Sequence, residues 1–146
     1  MSVGLIVLVI VLGGSLAAGL AWRQRNGVMR APRRPAPSRR PAESGPAITG
    51  AELGVPLGPK ATLVQFSSAF CAPCRATRRV LAEVAGMTDG VTHVEIDAES
   101  RLDLVRSLDV RRTPTVFVLG PDGQIAKRAS GQPRKADVIA ALGEVT

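Results

Sequence analysis

The chain has two cysteines, Cys71 and Cys74, with only Ala72 and Pro73 between them. Neither has a distant partner, so they cannot staple the loops of a disulfide-dense secreted scaffold, and their task is local. Where they stand constrains the fold most. Residues 61–67, Ala-Thr-Leu-Val-Gln-Phe-Ser, have the β-branched and aromatic content of a strand. From residue 71 to 87 the pattern turns helical, with Val80, Leu81, Val84 and Ala85 on one face and Arg75, Arg78, Arg79 and Glu83 mostly off it. The pair therefore lies where a strand gives way to a helix.

The rest of the chain builds a sheet around that unit. Residues 91–97 read as a second strand, residues 98–108 as a helix through Leu102, Val105 and Leu108, and residues 115–119 as a third strand. Gly120-Pro121-Asp122-Gly123 marks a turn, residues 124–129 a fourth strand and residues 135–142 a last helix. The order β-α-β-α-β-β-α joins a crossover to a hairpin, which predicts an α/β fold with a central mixed β-sheet flanked by helices. Residues 48–60 carry a weak signal that suits a short helix or a strand cap.

At the start of a helix the backbone N–H groups are unpaired and the macrodipole favours an anion, so Cys71 is the expected thiolate. The thiolate is the species that attacks a disulfide. Pro73 suits the first turn, where its missing N–H would have no partner anyway. Once Cys71 holds a substrate sulfur, Cys74 is near enough to displace it. A structural zinc would want four ligands, and the chain adds only one histidine, His93, to the two cysteines. A purely structural disulfide closing so short a loop would remove little chain entropy. No metal and no cofactor is expected.

Residues 3–22 are 20 consecutive uncharged positions rich in Leu, Ile and Val. A helix of that length rises about 30 Å, the thickness of a bilayer's hydrocarbon core. Trp22 suits the interface, and Arg23 and Arg25 follow at once. A cleaved signal peptide fits less well, because the basic n-region is missing and the run exceeds the ~7 to 15 apolar residues usual there. The expectation is one transmembrane helix over residues 3–22. The side richer in arginine tends to stay inside, which predicts a cytoplasmic domain, with an extracytoplasmic one as the alternative.

Residues 23–47 hold seven arginines against Glu43, a net +6, with five prolines among them, and read as a basic, solvated linker. From residue 48 to 146, the expected domain, twelve basic residues meet eleven acidic ones, a net +1. The excess charge therefore lies beside the apolar run, which suits a lipid bilayer surface and argues against nucleic acid, as does the absence of tyrosine for base stacking.

Over residues 48–142 the chain resembles the thioredoxin family. The resemblance is carried by Leu63-Val64-Gln65-Phe66 leading to Phe70-Cys71-Ala72-Pro73-Cys74, by Val94-Glu95-Ile96-Asp97, by Thr113-Pro114-Thr115 before a strand, and by Gly131 after the last strand. It implies a thioredoxin-like fold, a cis bond at Thr113-Pro114 facing the cysteines, and a substrate groove formed by Phe70, Ala72, Pro73, Thr113, Pro114 and Gly131. Arg111 and Arg112 would rim that groove. The chain departs from the family's pattern at four places: Phe70 replaces a tryptophan, Ala72 a glycine, Gln65 a buried aspartate, and His93 a lysine near it. Either the neutral pair simply costs less to bury than a charged one, with no catalytic meaning, or, because Gln65 cannot take a proton, His93 is the candidate base for Cys74.

Together these readings predict a membrane-tethered thiol:disulfide oxidoreductase with Cys71, Cys74 and His93 as catalytic residues. Its partners would be protein disulfide substrates and a reductase or other dithiol electron donor. The alternative is a non-catalytic, membrane-anchored interaction module on the same fold.

Overall fold

A computed structural model describes residues 3–25, 27–31 and 47–146 of the chain. Its first helix, α1 (Val3–Arg25), exposes apolar side chains along its length and is apolar enough to cross a membrane. It runs past Trp22 because arginine and glutamine are good helix formers. The proline-rich part of the expected linker lies outside the described residues.

Residues 48–60 turn out to hold a one-turn helix, α2 (Gly50–Leu53), started by a capping box. The Thr49 hydroxyl accepts from the Glu52 N–H at 3.2 Å, and the Glu52 carboxylate accepts from the Thr49 N–H at 2.8 Å. Gly54, at φ 73°, ends the turn in a conformation that favours glycine.

Four strands follow: β1 (Ala61–Ser67), β2 (Val91–Asp97), β3 (Thr115–Leu119) and β4 (Ile125–Ser130). They lie in the order β2-β1-β3-β4, with β1 parallel to β2 and antiparallel to β3, and β3 antiparallel to β4. The expected mixed sheet is present, and a fully buried β1 is central to it. Alternation along β1 divides the core into two layers. Leu63 faces α3 (Ala72–Met87) and α5 (Lys135–Gly143), packing with Leu81, Val84, Val138 and Leu142. Val64 and Phe66 face the other way, with Ile96, Phe117 and Leu104 of α4 (Leu102–Ser107). The rings of Phe66 and Phe117 meet edge to face, centroids 5.8 Å apart.

The helix expected from residue 98 starts only at Leu102. Asp97 takes the intervening residues into a turn, accepting from the Glu99 N–H at 3.0 Å and the Ser100 hydroxyl at 2.6 Å. Such local acceptors compete with a helical ladder.

Residues 27–31, read as part of a solvated linker, lie along the outer edge of β4. Arg30 and Arg128 exchange both backbone hydrogen bonds at 2.7 Å, and the Gly27 N–H donates to the Ser130 carbonyl at 3.0 Å. Met29 packs against the α3–α5 layer. Gly27 is at φ 78°, and a Cβ there would collide with the Gln132 carbonyl.

Candidate active site

The topology brings the loops that carry the cysteines, Thr113-Pro114 and Gly131 to one end of the sheet, while His93 lies mid-strand on β2. Phe66 at the end of β1 pairs with Thr115 at the start of β3, and Thr115 pairs with Ser130 at the end of β4. The loops after β1, before β3 and after β4 therefore converge. Hydrogen bonds tie them together: Ser68 and Thr113 share one between their hydroxyls at 2.8 Å, and the Gly131 N–H donates to the Pro114 carbonyl at 2.7 Å. The Thr113-Pro114 bond is cis, and Gly131 holds φ 99°.

Cys71 is the N-cap of α3, and its sulfur accepts from the Cys74 N–H at 3.2 Å. The two sulfurs are bonded, with the Cα atoms 5.2 Å apart. Pro73 stands in the first turn of α3, as its missing N–H allows. The two sulfur atoms are not equivalent: Cys71 is half-buried, whereas Cys74 is 2% exposed. Phe70 is fully exposed and, at φ 59°, adopts a left-handed conformation that costs a non-glycine residue roughly 1–2 kcal/mol. Ala72 and Pro73 are exposed beside it, so three of the expected groove residues flank the more accessible sulfur in the chain, while Pro114 and Gly131 are buried.

Beneath the pair lies a chain of polar groups that sequence reasoning did not foresee. The Gln65 Nε2 donates to the Cys74 carbonyl at 2.9 Å and to the Ser67 hydroxyl at 2.8 Å. Ser67 donates onward to Glu95 at 2.6 Å, and Arg78 of α3 grips the same carboxylate through Nη2 at 2.8 Å and Nε at 2.6 Å. Gln65 is fully buried and its Oε1 has no hydrogen-bond partner among the described residues. Burial pushes the Glu95 carboxyl up, but the bonds from Arg78 and Ser67 outweigh it and hold its pKa below the usual carboxylate value. The signal that could have pointed to this chain is period-two alternation, which puts Gln65 and Ser67 on one face.

His93 stands opposite Leu63 in the β1–β2 register, while Glu95 stands opposite Gln65. The residue directly beside Gln65 is thus Glu95. The His93 Nε2 is buried and has no partner among the described residues, and burial depresses its pKa below the ordinary 6.5. Arg111 pairs with Asp109 at 2.9 Å, and Arg112 donates to the Ser130 carbonyl at 2.6 Å, placing the second of them on the loop junction.

The family model described as Thioredoxin matches residues 55–144. Thioredoxin H4-1 of Oryza sativa subsp. japonica is 33% identical over 86 residues, covering 58% of this chain and 66% of that protein. The thioredoxin of Mycobacterium tuberculosis is 34% identical over 88 residues, covering 59% of this chain and 74% of its own length. The chain thus spans just under two thirds of the rice relative. Among solved structures, a chloroplastic thioredoxin z superposes with a TM-score of 0.57 at 25% identity, over 73% of this chain and 97% of its own. A thioredoxin variant from Halobacterium salinarum gives a TM-score of 0.55 at 22% identity, over 60% of this chain and 75% of its own.

Proposed function

The chain belongs to the thioredoxin family, and from that membership we propose that it is a membrane-tethered thiol:disulfide oxidoreductase acting on protein disulfides. The observation that carries the reading is the asymmetric cysteine pair at the N-terminus of α3, half-buried Cys71 beside buried Cys74, after a loop that Ser68 ties to Thr113 of the cis Thr113-Pro114 bond.

In the reduced protein the N-cap position stabilises the Cys71 thiolate, through the Cys74 N–H that already points at its sulfur. That thiolate attacks a substrate disulfide; one substrate sulfur leaves as a thiol and the other stays bonded to Cys71. The Cys74 sulfur then attacks Cys71, its proton departs, the Cys71–Cys74 bond forms and the second substrate thiol is released. A dithiol donor restores the reduced pair. Phe70, Ala72, Pro73, Thr113, Pro114 and Gly131 are the proposed substrate contacts, the first three by exposure around Cys71 and the last three by their position on the tied loops. His93, neutral at pH 7, is the proposed acceptor for the Cys74 proton. α1 is the proposed membrane anchor, with the domain on the cytoplasmic side.

The test is reduction of insulin disulfides by the full chain with a dithiol donor. Cys71→Ser is expected to abolish turnover, and Cys74→Ser to attack once and accumulate as a mixed disulfide visible on a non-reducing gel. An inactive parent chain would sink the enzyme reading and leave the interaction module.

A further inference from the structure

The polar chain beneath the cysteines has an unused end. Gln65 can present its amide in only one sense, because the Cys74 carbonyl cannot donate and must face Nε2. Ser67, accepting from Nε2, must then donate to Glu95, and Arg78 holds that carboxylate in place. Every link from Arg78 to Gln65 therefore has a fixed polarity. The outcome is a buried amide oxygen without a partner among the described residues, on the side chain that bonds the turn carrying Cys74. A buried acceptor left unpaired is costly, so a native site that keeps one needs a reason.

Cys74 supplies the reason. In the disulfide form its sulfur has no hydrogen to give. When a dithiol donor reduces the pair, the S–S bond breaks as the donor's own disulfide forms. Two electrons and two hydrogens arrive; Cys71 releases its proton to solvent as a thiolate, and Cys74 keeps its own as S–H. A donor thereby appears on the same turn, at a buried position. We propose that Gln65 Oε1 is the acceptor for the Cys74 thiol in the reduced state, and that Ser67, Glu95 and Arg78 are positioning residues that hold the amide in that sense.

The inference deepens the oxidoreductase reading and rests on it for its significance. The charged and titratable groups around the turn are Arg75 and Arg78 from α3 and His93 and Glu95 from β2, with Lys135 of α5 engaged lower down by Glu83; β1 brings no charge. The buried end of the chain is thus neutral, and hydrogen bonding is what Gln65 has to offer.

The S–H stretch of a thiol lies in a clear infrared window and moves to lower frequency when the hydrogen is shared. In full-length Cys71→Ser protein, Cys74 is the only thiol. Its band is expected at the hydrogen-bonded position, and at the free position once Gln65→Met is added. In the intact pair, Gln65→Met is expected to shift the equilibrium with glutathione about threefold or more toward the disulfide, because it removes a bond from the reduced form and an unpaired acceptor from the oxidised one. Ser67→Ala takes away one of the two anchors of Nε2 and serves if Gln65→Met does not fold; its band is expected to broaden toward the free position. A free-position band in the parent, or identical bands in all three proteins, overturns the proposal. The infrared readout needs no substrate, so an inactive chain with a shifted band would indict the enzyme reading alone, and an active chain with an unshifted band only this one.

Discussion

Single residues set the chemistry, and His93 illustrates how much depends on register. Its pKa is lowered by burial, so the unfolded chain binds a proton more readily than the folded one. Its contribution to stability is complete above about pH 6.5, the unfolded value, and is lost as pH falls through the lower folded value. Chemical denaturation of the parent and His93→Gln between pH 7.5 and pH 5 checks this: the variant is expected to lose less stability over the window. The same variant tests catalysis. If His93 takes the Cys74 proton, release of the mixed disulfide slows by ~10²-fold near pH 7 while attack by Cys71 is unchanged; equal rates assign the imidazole to the core. Sequence could name His93 and Gln65 as departures from the family pattern. It could not show that Glu95, two residues on, is the one opposite Gln65, because that follows from the pairing of residues 30 apart in the chain.

At the scale of elements, the strand-to-helix junction and the order of elements along the chain were legible, since period-two and period-3.6 patterns report directly on which face a core covers. What escaped was structure made by side chains acting on backbone. Asp97 delays α4 through two short-range bonds, and over residues 48–60, where the sequence suits a short helix or a strand cap, the Thr49–Glu52 box decides for the helix. The pairing of residues 27–31 with β4 escaped for another reason: five residues are too few to show a period. This pairing makes its own prediction. Gly27→Val cannot reach φ 78° beside the Gln132 carbonyl, and Met29→Ser gives up a partly buried side chain worth about 1 kcal/mol. Either change is expected to unzip the segment, which hydrogen exchange would register as loss of protection at the Arg128 N–H that now donates to Arg30.

For the whole molecule, the expected behaviour follows from α1. The full chain should sediment with membranes and resist carbonate extraction. In intact cells Cys71, once reduced, should escape a membrane-impermeant maleimide until the cells are permeabilised. Labelling without permeabilisation would reverse the orientation, and release by carbonate would remove the anchor. The seam between residues 27–31 and β4 bears on how far the active site can travel. Had the whole stretch from Arg23 to Ala47 been slack, the catalytic face could have ranged about 25–30 Å from the bilayer. Instead the last residue of α1 and the first residue bonded to the domain are two Cα steps apart, at most about 7.6 Å. With α1 as the proposed anchor, the loop that carries Gly131 and Gln132 would be held close to the bilayer surface, and the proposed clientele would be disulfides that come down to it.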